Sequence, residues 1–537
     1  MRREGRRHRC GQLLSPSQAC ALVLLICGAA VPIGATERSA VLFSVSIRDQ
    51  SAAAPQRVFL GGDRMAWRFG GEVFEEGPCL PGAPSPLLIG TKPQIEKLMG
   101  LKSVDIRLHG PLRGYRDVCP DQVSKIGPHG APSGIVIDDG YHGADQVAAL
   151  LAQFQNQYPT LAKRIRIGQS HEGRQIWALK ISDNVDLDEE ESAIVFDANI
   201  HAREYPPTEV ALDIIHRLLT RYALDQRYRA WVDHLEIYVI PCLNPDGRKK
   251  SDDINLAWRK NARDNNGNGF FEINQDGVDL NRNAPFMWGS DDSGSSPHPT
   301  SEIYRGPAPA SEPETQAILG LLDRLRPAYH LSMHSYSALI LSPYGDLNAD
   351  GPQPEPMRPL GEIVAGLCTD EDGEAYGFTG HHGGLPSNGL LTDSAHAMHG
   401  VFSYTAEIGA ESYQPLYATT REVIVPGMRP GWERLLEAAH DGHARLYGRI
   451  TDGVTQQPLE TRIDLLDLTW PNDEHWETRA DGHYEVPLRG PGRYRFRFSF
   501  VDAAYEPIEE EFEFADSPLR WNLRLGVNNA VTDWDVY

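Results

Sequence analysis

Apolar residues recur with two distinct periods along this 537-residue chain. Near the start the period is two. It predicts strands over 41–47 and 104–108, with a further apolar run at 87–89 and a short helix over 93–98. These elements suggest a compact α+β unit spanning 36–133. Pro128, Gly130, Pro132 and Gly134 then mark a linker. In the longest block, 134–441, helical spacing takes over. Val147, Leu150, Leu151 and Phe154 fall on one face of a helix, and Val210, Ile214, Leu218 and Leu219 on one face of another over 209–222. A third helix is predicted over 317–325. Between the helices lie strands at 176–181, 193–198 and 235–240, the second apolar almost throughout, and 330–333 leads out of a further short strand. Strands apolar throughout are strands buried on both faces, so this block reads as an α/β domain around a mixed or parallel sheet. After 442 the pattern returns to short alternating segments at 445–450, 462–466, 483–488, 494–500 and 510–514. They are separated by Asp452-Gly453, Asp481-Gly482 and Pro491-Gly492. This predicts an all-β sandwich over 442–526, followed by a tail at 527–537.

Composition narrows the partners. Hydrophobic residues make up 41% and charged residues 23%, as in ordinary folded proteins. The formal net charge of −23 argues against nucleic acid, whose phosphates need basic surfaces. The first 35 residues differ from the rest. Arg2, Arg3, Arg6, Arg7 and Arg9 precede an apolar run over 20–30, and small residues end at Ala35. This reads as a secretory signal cleaved near Ala35, which places the mature protein outside the cytoplasm. The run is shorter than the roughly 20 apolar residues of a spanning helix, so no stable membrane span is expected. Of seven cysteines, three leave with the signal. Cys79, Cys119, Cys242 and Cys368 remain, and three pairings are open to them. Domain membership alone favours Cys79 with Cys119 and Cys242 with Cys368. No CxxC pair exists to build a thiolate zinc site.

The chemistry gathers in the α/β block. Asp197-Ala-Asn-Ile-His201-Ala-Arg203-Glu204 stands where a strand ends and a helix soon begins, the usual place for a site in an open α/β sheet. His201 and Glu204 are three apart, so one turn can aim both at an ion, and zinc accepts imidazole nitrogen and carboxylate oxygen. HxxE alone is common by chance. Other segments follow in order: Gly168-x-Ser-x-Glu172-Gly-Arg174, Asn244-Pro-Asp-Gly247, Asp279-Leu-Asn281-Arg282-Asn283, Tyr304-Arg-Gly306, Leu331-Ser-Met-His334-Ser335-Tyr336 and Tyr404-Thr-Ala-Glu407. Together they closely resemble the metallocarboxypeptidases of the pancreatic carboxypeptidase A and B type, over about 300 residues from Tyr141. Carboxypeptidase A is itself a standard example of a His₂Glu zinc enzyme.

The resemblance implies a secreted zinc-dependent hydrolase of the C-terminal peptide bond. One zinc would be held by His201, Glu204 and His334. Glu407 would be the general base. Asn281 and Arg282 would hold the free C-terminal carboxylate of a peptide or protein substrate, because Arg matches a carboxylate bidentately. Asp279 would orient a zinc histidine. Arg203, Ser335, Tyr336 and Thr392 would line the substrate path, with Thr392 in the pocket for the departing side chain. Two positions depart from the family pattern. The expected Trp-Arg-Lys-x-Arg reads Trp258-Arg259-Lys260-Asn261-Ala262, and Arg263 follows one place later; a one-residue shift would give Arg263 the oxyanion role. Counting back from Asp393, the family's mobile tyrosine falls at Leu385.

A separate feature is Asp264-Asn-Asn266-Gly-Asn268-Gly269, which repeats the first, third and fifth oxygen ligands and the sixth-position glycine of an EF-hand loop. Gln275 stands where that loop needs Glu. The segment reads either as a Ca²⁺ site or as a plain polar loop. The C-terminal sandwich is similar to the transthyretin-like modules that follow some carboxypeptidase domains. Two other functions stay open at this level: a zinc amidase on cell-wall peptides, and a non-catalytic peptide-binding protein on the same fold.

Overall fold

The computed structural model describes residues 135–526, apart from 138–139, 347, 354, 381–385 and 442, together with the strand backbones named below within 21–111 and at 531–533. The chain divides into two compact units, Met1–Pro132 and Ser133–Tyr537.

In the first unit β2 (Ala40–Ile47) pairs antiparallel with β1 (Ala21–Leu24), β6 (Leu88–Thr91) and β7 (Val104–Pro111). A separate antiparallel meander joins β3 (Gln56–Gly61), β4 (Arg64–Phe69) and β5 (Glu72–Glu75). The β1 strand lies inside the segment read as a secretory signal. The helix expected at 93–98, together with Cys79 and Cys119, lies outside the described residues.

The second unit is built on an eight-stranded mixed sheet. Its strands are β8 (Ala162–Gln169), β9 (Gln175–Ile181), β10 (Ser192–Ala198), β11 (Leu235–Ile240), β12 (Tyr329–His334), β13 (Leu339–Leu341), β14 (Gly377–Thr379) and β15 (Phe402–Glu407). The order is β14-β13-β15-β12-β10-β11-β9-β8. The pairs β11–β10, β10–β12 and β12–β15 are parallel, and the antiparallel pairs lie outside them. Every residue of β10 is buried because helices cover both faces. Ile194, Phe196 and Ala198 face a core shared with α2 (Pro206–Arg221), α3 (Gln226–His234) and α1 (Ala144–Gln157). Ala193 and Val195 face the opposite core, with Ile318, Leu321 and Leu322 of α5 (Pro313–Leu325). Further helices among the described residues are α4 (Pro245–Asp253), α6 (Arg358–Leu367), α7 (Leu391–His399) and α8 (Val425–His440). Two prolines open α2, where their missing N–H groups cost nothing.

After β10 the chain crosses to β11 on one side, and β12 later joins on the other. The crevice between β10 and β12 is therefore a topological switch point, where open α/β sheets place their ligands. His201, His334 and Glu407 all stand at or just past carboxyl ends of these parallel strands.

The C-terminal sandwich has two sheets. One joins β16 (Arg445–Asp452) to β19 (His483–Pro487), β22 (Pro518–Arg520), β23 (Leu523–Leu525) and β24 (Val531–Asp533). The other orders β18 (Trp476–Glu477), β17 (Thr461–Leu465), β20 (Gly492–Phe500) and β21 (Ile508–Phe514). Its core runs continuously into that of the α/β layer, so the two pack as one unit.

The expected Cys242–Cys368 disulfide is absent: both are free, buried thiols. Cys242 follows β11 with its sulfur 3.5 Å from Asn199 Oδ1, while Cys368 ends α6 against Gly431 of α8. Both belong to the same core, but each sulfur is taken up by its own neighbours there, and burial pushes both thiols up to about 12.

Candidate metal centre and active site

The turn after β10 is held by an asparagine. Asn199 adopts φ 58°, a left-handed conformation that Asn tolerates better than most residues. Its buried amide donates to the carbonyls of His201, Ala202 and Glu204. That clamp folds the backbone so that His201 and Glu204 point the same way, 2.8 Å apart between Nδ1 and Oε1. Across the crevice, β12 delivers His334. Its Nδ1 lies 3.1 Å from His201 Nδ1 and 3.2 Å from Glu204 Oε2.

Two imidazole nitrogens and a carboxylate thus converge, with all three residues buried. Ligands at roughly 2.0–2.1 Å from a tetrahedral zinc stand about 3.3 Å apart, close to what this trio shows. Two Nδ1 atoms facing each other at 3.1 Å around a buried carboxylate is also poor packing without a cation between them. The residues fit zinc. Burial opposes ionisation of Glu204, yet His201 and His334 hold its carboxyl well below the usual range.

The rear faces of the two histidines are also supported. His201 Nε2 lies 3.3 Å from Asp279 Oδ1, and Asp279 Oδ2 accepts from Arg259 Nε at 2.9 Å. Ser332 bridges His334 Nε2 at 3.3 Å and Asp197 Oδ1 at 3.1 Å, and Asp197 Oδ2 sits 2.6 Å from His330 Nε2. Such outer partners fix ring orientation and tautomer. The period-two repeat His330, Ser332, His334 on β12 carried this signal. The sequence reading used only its last member.

Glu407 ends β15 directly opposite His334 in the parallel register. Burial pushes its carboxyl up to about 7, against the pull of His334. Arg282 is half-buried, with Nη1 donating to its neighbour's carbonyl at Asn281 and Nη2 to Ser387 Oγ at 3.1 Å. Asn281 Oδ1 accepts from the Leu391 amide at 3.0 Å and so pins the start of α7. Thr392, on the next residue, is buried, and its hydroxyl meets that of Thr405 at 3.4 Å. At the rim the Arg203 guanidinium lies 4.3 Å over the Tyr413 ring, and Tyr336 meets the same ring edge-on at 4.8 Å. The Ser335 amide donates to Glu204 Oε2 at 3.2 Å. Leu385 lies outside the described residues.

Arg263 is not where the sequence placed it. Its guanidinium pairs with Glu312 Oε1 at 3.0 Å, in a separate cluster with His171, Asn261 and Glu314. Arg259 faces the metal residues instead, with Nη1 3.9 Å from Glu204 Oε1. The backbone explains the difference. Ala202 N donates to Arg259 O, which ties Arg259 to the ligand turn, whereas Arg263 O accepts from Gly277 N farther along the loop. The one-residue shift is therefore incorrect.

The calcium reading is also not supported. The Asp264 carboxylate accepts from the amides of Gly267, Asn268 and Gly269, while the side-chain amides of Asn266 and Asn268 both donate to Glu272. The loop satisfies itself, and it is not among the groups of ligand atoms that converge within the described residues.

The zinc carboxypeptidase family profile matches residues 147–434, more than half of the chain. A zinc carboxypeptidase of Saccharothrix mutabilis subsp. capreolus is 30% identical over 331 residues, covering 56% of this chain and 68% of that protein. Carboxypeptidase A2 of Rattus norvegicus is 32% identical over 208 residues, covering 38% of this chain and 47% of that protein. The match spans about half the length of several such curated relatives. Among solved structures, thrombin activatable fibrinolysis inhibitor superposes with a TM-score of 0.50 at 24% identity, over 57% of this chain and 79% of that one, a likeness of fold. Profile, relatives and fold agree with the buried His-Glu-His trio: the chain belongs to the zinc carboxypeptidase family of peptide hydrolases.

Proposed function

We propose that the protein is a zinc-dependent exopeptidase that releases the C-terminal residue of peptides and acts outside the cytoplasm. The observation that carries the reading is the convergence of His201, Glu204 and His334 in one crevice with Glu407 and Arg282. His201, Glu204 and His334 would hold the zinc, which would supply Lewis acidity toward the scissile carbonyl and acidify water.

The chain's own groups do the rest. Arg282 and Asn281 receive the terminal carboxylate, which fixes the last peptide bond beside the metal residues and restricts attack to chain ends. Glu407 takes the proton of the attacking water and passes it to the departing amine; a carboxyl pushed up to about 7 is suited to both directions of transfer. Arg259 faces the place where the carbonyl oxygen gains charge. Thr392 offers the departing side chain a small uncharged wall, so neutral C-terminal residues are preferred over Lys and Arg, which would lack a counter-ion from this position. The arginine-rich start and apolar run before Ala35 support the extracellular assignment. Among the described residues no helix is long and apolar enough to cross a membrane.

His334→Ala tests the reading. The variant is expected to lose tight zinc binding and peptide hydrolysis together. Full zinc occupancy with unchanged hydrolysis would contradict it.

A further inference from the structure

The helix that carries Thr392 touches the active site at one end and the C-terminal sandwich at the other. At its start, Leu391 N is held by Asn281 Oδ1 and Asp393 Oδ2 accepts from Gly345 N at 3.0 Å. At its end, α7 closes on Gly400 in the left-handed conformation, φ 67°. A Cβ added at Gly400 would stand 2.4 Å from Trp476 Nε1, so the sandwich is packed directly on the helix terminus. Between the two ends, His396 lies 5.7 Å from the Tyr344 ring and 6.3 Å from Trp470 of the sandwich, which itself meets Trp476 edge-on at 5.4 Å.

Tyr344 is the crossing point. It is fully buried, and its hydroxyl donates to Glu474 Oε1 of the sandwich at 2.7 Å. The next residue in the chain, Gly345, is the one that donates to Asp393. Glu474 is itself buried and held by Asn472, whose amide N–H and side-chain amide both donate to it. Asn472 also donates to the Asp350 carbonyl at 2.7 Å, and residues 353 and 469 form an antiparallel bridge. Arg326 adds a further tie, to the Thr478 carbonyl at 3.0 Å and to Glu477 at 2.7 Å.

A buried carboxylate would be a costly way to fill space between two domains unless its partner needed a fixed position. We propose that the sandwich segment 469–478 is a positioning element for the side-chain pocket. Glu474, acting through Tyr344 and Gly345, holds Asp393 and hence the helix that presents Thr392 to the substrate. Glu474 touches neither substrate nor metal residues; it is a positioning residue. The inference rests on the exopeptidase reading for what the pocket binds, and on the hydrogen-bond chain for how the sandwich reaches it.

The test uses the full-length, zinc-loaded protein as Tyr344→Phe and Glu474→Ala, with Glu474→Gln as the conservative control. In the first two variants the ratio of kcat/KM for a peptide ending in Phe to one ending in Ala is expected to change by about fivefold or more, carried by KM, because small displacements of a pocket wall alter the fit of large side chains. Zinc content stays at the parent level. Hydrogen exchange of Gly345 and of α7 is expected to accelerate by about tenfold, since local opening follows the loss of buried contacts. Glu474→Gln keeps the oxygen that accepts from Tyr344 but turns its amide toward the Asn472 N–H, and is expected to change both readouts less than Glu474→Ala does. Tyr344→Phe removes one oxygen atom and leaves the ring packing, so it reports even where Glu474→Ala does not fold. A substrate ratio and exchange rates in Tyr344→Phe that both stay within about twofold of the parent would overturn the inference. If the parent cleaves neither peptide, the exopeptidase reading fails, and the exchange measurement alone decides the positioning role.

Discussion

Replacing Arg259 with alanine is expected to remove most of the turnover while Arg263→Ala leaves it nearly intact. Arg259 is the only one of the two whose guanidinium reaches the metal residues, at 3.9 Å from Glu204 Oε1, and Asp279 fixes its direction through Nε at 2.9 Å. Loss of one donor facing a developing oxyanion lowers kcat by about 10²–10³, or roughly 2.7–4 kcal/mol of transition-state stabilisation. A second effect must be separated from this. Burial opposes ionisation of Asp279, and Arg259 is the first of the groups that hold its carboxyl well below the usual range. Asp279 in the variant keeps the Asn281 amide and the His201 contact, so the metal should be retained, and zinc content is measured alongside kinetics. Arg263 is different. Its partner Glu312 also accepts from Asn261 and Ser311 and contacts His171, so truncation leaves three partners in place. The side chain of Arg263 is also 29% exposed. The expected cost of Arg263→Ala is about 1 kcal/mol of stability, with kcat changed by less than about threefold. The assay is kcat and KM on one neutral peptide at saturating zinc for both variants. Equal losses of kcat in the two, or a larger loss in Arg263→Ala, would refute the reasoning.

Three further outcomes are expected. Glu407→Gln should keep zinc and lose about 10²–10⁴-fold in kcat, measured with metal content on the same preparation; near-normal kcat would assign the base elsewhere. Matched peptides ending in Leu, Phe, Lys and Arg should show higher kcat/KM for the neutral pair; a tenfold preference for the basic pair, roughly 1.4 kcal/mol, would show that another group supplies a counter-ion. Burial pushes Glu314 up to about 7; because its folded value lies above that of the unfolded chain, the unfolded state loses this proton first and the group lowers stability as pH rises from about 4.5 to about 7. Thermal midpoints of Glu314→Gln and the parent should therefore converge near pH 4.5 and diverge in favour of the variant by pH 7.5, and a constant difference across that range would remove Glu314 as the source.

Much of the fold was legible because its signals are local. The apolar run 193–198 announced a strand covered on both faces, and β10 is buried at every residue. The short strands after 442 announced themselves by alternation and turn residues. The candidate His-Glu-His trio was legible through ordered motifs, since each of its residues stands near a strand end that periodicity could place. What escaped depends on the path of a loop. Whether Arg259 or Arg263 approaches Glu204 turns on the hydrogen bond from Ala202 to Arg259, which residue spacing does not encode. The role of Asn199 depends on a left-handed backbone that a single asparagine does not announce. The pairing of Cys242 with Cys368 was drawn from domain membership, which says nothing of what each sulfur packs against. The Asp264 loop carries ligand-like spacing, yet its carboxylate is occupied by its own backbone amides. The link from Glu474 to Tyr344 joins residues 130 apart and has no sequence signature.

The most direct measurement of the account is mass spectrometry of one neutral peptide in two forms, with a free C-terminal carboxylate and with an amidated C-terminus, incubated with the zinc-loaded protein with and without chelator. The account predicts that single residues leave the C-terminus of the free form only, and that chelation stops the release. Equal cleavage of the amidated form, cleavage at internal bonds, or release that persists after the metal is removed would contradict it.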